Sequence, residues 1–211
     1  LETLLLQRSA GNPVSIRNLG WAGDMLTARD RPTNFPAEVS TLAAHKTDVI
    51  IACFGMGESF AGEAALVEFK NNLTAFITSH LGKKYNGKSE VRLVLVSPIA
   101  YENLGLRTPR WQERNRELSA YTRIMSETAS KMGVPFVGLY GPTTELIKDK
   151  NTPSLTDNGI NLNDYGYWCV SRTLADALLP GEAPWLLSVD AKTGRASGRG
   201  ANISDVKSKG K

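Results

Sequence analysis

Two stretches of this 211-residue chain could do chemistry at a carbonyl carbon. One is the glycine-rich turn Asn18-Leu-Gly-Trp-Ala-Gly-Asp24, a strand exit that can aim backbone N–H groups at an oxygen gathering negative charge. The other is Leu155–Tyr167, which carries Asp157, Asn158 and Asn161 ahead of Asn163-Asp164-Tyr165-Gly166-Tyr167. Moving a proton at such a site requires a group that titrates near neutrality, most often histidine. This stretch holds no histidine; it offers carboxylates and amides, Asn161 among them. A carboxamide donates and accepts hydrogen bonds, but it has no useful basicity.

The elements that must position these residues alternate between two periods. Val14–Asn18 reads as a short strand and the apolar run Val49–Phe54 as a strand buried on both faces. Val91–Ser97 and Val134–Leu139 complete four expected strands. Between them lie helices over about Ala37–Lys46, Glu63–Leu81, Arg110–Met132 and Asp164–Leu179. Apolar stripes mark the two central ones, Leu66, Phe69, Leu73, Phe76 and Ile77 in one and Leu118, Tyr121, Met125, Ala129 and Met132 in the other. Strands alternating with helices predict a three-layer α/β/α sandwich around a mainly parallel, flavodoxin-like sheet, with ligands met at the C-terminal strand ends. Residues 1–181 are the expected domain, and 182–211 an extension or the start of another, with a further strand over Trp185–Asp190. Leu1, Leu4 and Leu5 form one face of a helix. A parallel unit puts a strand and a loop ahead of such a helix, so a strand upstream of Leu1 is expected.

In order and spacing these blocks resemble the SGNH hydrolase superfamily, the GDSL-type esterases and lipases, over about residues 1–180. The resemblance implies four blocks. A nucleophilic serine would precede Leu1. Gly23 matches the glycine whose N–H enters the oxyanion hole. In Gly55-Met56-Gly57-Glu58, Gly57 stands where the family has an oxyanion-hole asparagine and Glu58 where it has aspartate. In the last block Asn158 replaces the orienting acid and Asn161 the histidine, while Asp157 lies one position early. Losing the base removes about two to four decades of rate, and losing one oxyanion donor about two to three more. The resemblance thus implies a degenerate member, a non-catalytic scaffold or interaction domain working with protein partners or other parts of the same polypeptide. Two alternatives stand beside it. One is a serine esterase or carbohydrate deacetylase with serine supplied upstream and Asp157 or Glu58 handling protons. The other is a carbohydrate-binding module.

Asn18-Leu-Gly-Trp-Ala-Gly-Asp24 and Phe54-Gly-Met-Gly-Glu-Ser-Phe60 also look like parts of domains of large secreted or periplasmic planctomycete-type proteins, some fused to haem-carrying modules. No Cys-x-x-Cys-His motif occurs, so no cofactor is expected in this chain.

Plainer roles compete with these. Gly20 and Gly23 serve as turn glycines, Glu58 as a cap for the following helix, His45 as a solvated helix-end residue and His80 as a packed one. Trp21, Asp24, Tyr101, Glu102, Arg110 and Trp111, with Arg107, could line a cleft for a polar or sugar-like ligand. Trp168 and Trp185 suit core packing or a domain contact. Cys53 and Cys169 read as buried free thiols, and no metal pattern is present. The net charge of +4 gathers in the last twenty residues, where Lys192, Arg195, Arg199, Lys207, Lys209 and Lys211 face Asp205 alone. That tail has no aromatic interleaving and reads as solvated rather than nucleic-acid-binding. No apolar run approaches the roughly 20 residues of a membrane span.

Overall fold

The computed structural model describes residues 1–9, 11–181, 185–190 and 192–204. The basic residues from 207 onward lie outside the described residues. The chain divides into two units, residues 19–167 and residues 1–18 with 168–211.

Residues 19–167 are built on a parallel sheet of order β1-β2-β3, from Val49–Cys53, Arg92–Val96 and Phe136–Val137. Val49 pairs with Arg92 and Cys53 with Val96, while Leu95 pairs with Phe136. Helix α2 (Glu38–Ala44) precedes β1, α3 (Leu66–His80) follows it, and α4 (Trp111–Met132) follows β2. The apolar stripes of α3 and α4 meet the sheet in one core that contains Leu73, Ile77, Leu95, Tyr121 and Met125, all fully buried. Each such side chain contributes about 1.5–3 kcal/mol of burial. Gly133 ends α4 with φ +66°, and its N–H reaches the Ala129 and Ser130 carbonyls. That is the left-handed stop glycine accepts without a Cβ penalty.

The sheet differs from the expectation in four respects. Val14–Asn18 joins no strand ladder among the described residues; the Ile16 N–H is bonded to the Glu2 carboxylate instead, at 2.9 Å. β1 is an edge strand rather than one buried on both faces, so its residues are mostly half-buried and Cys53 is exposed, whereas Cys169 is buried. Of Val134–Leu139 only Phe136–Val137 is strand. Helix α5 (Tyr140–Lys148) stands where the sequence pattern predicts no helix; its Pro142 falls in the first turn, where a helix needs no N–H.

His80 ends α3 and is packed as expected, 2% exposed, edge-on to Phe76 and 2.8 Å from the Tyr85 hydroxyl through Nδ1. Burial holds its imidazole below the ordinary histidine value, opposed by Glu38 and reinforced by Arg29 and Lys83. The unfolded chain therefore takes up a proton near pH 6.5 that the folded chain refuses, and stability falls as pH drops below that value. The unfolding free energy from urea titrations should decline between pH 7 and pH 5.5, by up to about 1.4 kcal/mol per pH unit. His80→Leu should abolish this slope, whatever constant offset it introduces.

The other unit contains α1 (Glu2–Arg8), most of α6 (Asp164–Leu178) and an antiparallel hairpin, β4 (Leu186–Val189) with β5 (Ala196–Arg199). Arg8 ties α1 to α6 through Asp176 (2.6 Å) and the Leu179 carbonyl (3.1 Å), and Gln7 donates to the Trp185 carbonyl. Trp168 and Trp185 are exposed rather than core residues, at 57% and 43%. Among the described residues, no helix is long and apolar enough to cross a membrane.

Candidate functional site

Because the strands are parallel, the segments after β1, β2 and β3 leave the same end of the sheet. The first of them is pinned by Glu58, whose carboxylate accepts the Gly55 N–H at 2.8 Å and the Leu26 N–H at 2.9 Å. One acid therefore braces the strand exit against the loop that follows the glycine-rich turn. Gly57 lies in the same contact: a Cβ there would come 2.8 Å from Met25 Cγ. The structure thus brings the second and third blocks together.

The glycine-rich turn is closed by its own polar groups. Gly23 has φ +87°, the region where a side chain is strained, and the Asp24 N–H donates to the Trp21 carbonyl at 3.1 Å. Both Asp24 carboxylate oxygens receive the Arg31 guanidinium, one at 2.6 Å. That fork holds the Asp24 carboxyl below the usual carboxylate range, against the opposing effect of burial. Arg31 also lies 5.2 Å from the Trp21 ring and 5.3 Å from Phe35. Trp21, Gly23, Asp24 and Arg31 line a cavity of about 380 Å³.

The last block is held from beneath. Glu102 is buried, and its carboxylate accepts from Ser154 Oγ, the Leu155 N–H, the Thr156 N–H and Thr156 Oγ1 at 3.0, 3.1, 2.8 and 2.5 Å. The Glu102 N–H donates to the Gly159 carbonyl. Above this anchor the loop bonds to itself. Asn158 Oδ1 accepts the Ile160 and Asn161 N–H groups, and the Asp157 N–H donates to the Asn161 carbonyl. Asp157, Asn158 and Asn161 are exposed. Among the described residues, no hydrogen bond or ion pair joins Asn158 or Asn161 to Gly23, Gly57 or Glu58.

The expected cleft divides. Trp21 and Asp24 line the cavity at the glycine-rich turn, while Tyr101 and Arg110 line a second of about 240 Å³ with Phe60 and Arg114. Glu102 faces the loop of the last block rather than a cavity, and Trp111 gives its carbonyl to Asn115. Arg107 donates to the Asp157 carbonyl at 3.2 Å. The bracing by Glu58 and Glu102 escapes a reading of sequence because its partners are backbone N–H groups, which carry no residue identity. Arg114 and Glu117 do carry a readable signal, opposite charges at i and i+3 on a helix.

Neither of the two histidines is at this end. His45 follows α2 just before β1, and His80 ends α3 ahead of β2, so both belong to the N-terminal ends of the strands. Ser59 and Ser97, near the strand exits, are buried with their hydroxyls in structural bonds. Ser59 Oγ donates to the Met56 carbonyl and accepts from Arg114; Ser97 Oγ donates to the Pro98 carbonyl and accepts from the Leu139 and Tyr140 N–H groups. Among the described residues, no group of three or more His, Cys, Asp or Glu could hold a metal.

The strand–helix alternation around a parallel sheet defines an α/β domain. The chain belongs to the GDSL-like Lipase/Acylhydrolase family, whose sequence pattern matches residues 2–169. No curated protein matches it. Among solved structures it is similar to an acetylxylan esterase from Geobacillus stearothermophilus, at 15% identity and a TM-score of 0.60, covering 83% of this chain and 77% of that one. A catalytic variant of that esterase aligns over 64% of this chain and 61% of its own length, at 16% identity and a TM-score of 0.49. A lipase/acylhydrolase from Enterococcus faecalis aligns at 18% identity, covering 66% and 67%, with a TM-score of 0.47. The chain thus spans 61–77% of the length of these esterase structures, and identities this low speak for the fold alone.

Proposed function

We propose that this chain is a non-catalytic member of its family, a domain that keeps the hydrolase framework and serves as a scaffold or interaction module for protein partners or other parts of a longer polypeptide. The observation that carries this reading is the last block. Asn161 occupies the place of the base, the loop around it is satisfied by its own hydrogen bonds, and both imidazoles of the chain belong to the opposite strand ends. A hydroxyl nucleophile without a neighbouring base attacks poorly. The bracing by Glu58 and Glu102 supports the same reading, since both carboxylates are engaged with backbone N–H groups.

Turnover of p-nitrophenyl acetate and of acetylated xylo-oligosaccharides tests it. The expected rate equals that of buffer alone. Turnover above buffer that disappears when a residue of this chain is replaced would refute the proposal.

A second reading, acetyl-ester hydrolysis with the nucleophile supplied from outside residues 1–211, is favoured by the likeness to the acetylxylan esterase and by the glycine turn at Gly23. It predicts turnover by a longer polypeptide that contains this chain, lost when Gly23 is replaced by a bulky residue.

A further inference from the structure

We infer that the cavity between the segment after β1 and the start of α4 is a binding site for one ring of a neutral carbohydrate, separate from the cavity at the glycine turn and independent of whether the chain hydrolyses esters. At about 240 Å³ it is smaller than the roughly 300–1,000 Å³ pockets that enclose drug-sized ligands. A single sugar ring or the end of a glycan chain suits that size.

Its lining supplies both faces of sugar recognition. Phe60 is 57% exposed although aromatic, and Tyr101 and Pro109 add apolar surface for the C–H face of a ring. Arg110 and Glu113, whose side chains are exposed, supply a donor and an acceptor of the kind that match adjacent hydroxyls, while Arg114 and Glu117 form the cavity floor. The charges cancel within the cavity: Arg110 lies 3.7 Å from Glu113, and Arg114 is bonded to Glu117. An ionic ligand would have to displace one of these pairs, whereas a neutral polyol adds hydrogen bonds without doing so.

The platform is also held in place before any ligand arrives. The Arg114 guanidinium lies 3.9 Å from the Phe60 ring centroid and is itself fixed by the Ser59 carbonyl (3.2 Å) and hydroxyl (2.8 Å). Arg114 is 8% exposed, and its Nε has no hydrogen-bond partner. Arg110, at the N-cap of α4, adopts φ +57°, uncommon for a residue with a side chain. A rigid aromatic ring beside fixed polar groups reduces the ordering cost of binding.

Titrating the chain with xylotetraose, cellotetraose, mannotetraose and, as the charged comparison, tetragalacturonate tests this by NMR shift mapping. Saturable binding of at least one neutral glycan is expected, with shifts at Phe60 and Tyr101. Phe60→Ala should weaken it at least tenfold. Arg110→Gly should weaken it while leaving the melting temperature unchanged or higher, because glycine accepts the left-handed conformation. Trp21→Ala, in the other cavity, should leave it unaltered. Absence of saturable binding to all three neutral glycans at millimolar concentration, binding of tetragalacturonate alone, or binding indifferent to Phe60→Ala and Arg110→Gly in folded protein would each overturn the inference.

Discussion

Gly166→Ala is expected to destabilise the protein by about 3 kcal/mol or more, although the same exchange in an open helix gains up to about 1 kcal/mol. Gly166 is the third residue of α6, and a Cβ on it would lie 2.1 Å from the Leu155 carbonyl oxygen, 3.0 Å from its carbon and 2.8 Å from Leu162 Cδ2. The first of these is backbone and cannot step aside. It is fixed from the other side as well, because the Asn163 N–H donates to the same oxygen and Asn163 Nδ2 to the Ser154 carbonyl. Asn163 also caps the helix, its Oδ1 accepting the Gly166 N–H at 2.9 Å. The helix start and the loop carrying Asn158 and Asn161 are thus one packed unit, and an added methyl group must push them apart. Urea unfolding should show a large loss for Gly166→Ala. Equal stability of Gly166→Ala and the parent would mean that the loop does not pack on α6 as described.

Glu102→Ala should cost about 4 kcal/mol, because it strands two buried N–H groups, those of Leu155 and Thr156, at about 1–3 kcal/mol each. It also removes the acceptor of the Ser154 and Thr156 hydroxyls. Glu102→Gln keeps the shape and one acceptor oxygen, so about half the loss is expected. Hydrogen exchange at the Leu155 and Thr156 amides should accelerate in both variants, more in the alanine. A loss below about 1 kcal/mol on Glu102→Ala would show that water replaces the carboxylate and that the loop is not anchored by it.

These two residues mark where sequence ceases to be legible. The long helices were readable because Leu73, Ile77, Leu118, Tyr121 and Met125 recur at three and four and all turn out fully buried. The run Val91–Ser97 is readable as a buried strand because it contains β2, the central strand. The two ends of the sheet were not. Alternation in Val14–Asn18 describes a face but provides no neighbour, and the apolar run of β1 has the composition of a central strand in an edge position. Helix α5 was hidden by its Gly141-Pro142, which resembles a break but fits a first turn. Gly166 and Glu102 act on backbone atoms brought close by the fold. Only Glu102 is polar enough to notice, and sequence alone suggests a cleft-lining residue rather than a brace.

Of the candidate site, the order of its blocks is what the sequence makes legible. The neighbours that secure the blocks, Met25 against Gly57 and Glu58 against Leu26, are contacts between segments far apart in sequence. No spacing rule announces them.

The most direct test of the non-catalytic reading is intact-mass measurement after incubating the chain with excess fluorophosphonate, a reagent that captures only hydroxyl groups activated by a base. An unchanged mass is the predicted result. One phosphonyl adduct on a serine of this chain, with ester turnover lost when that serine is replaced, would contradict it.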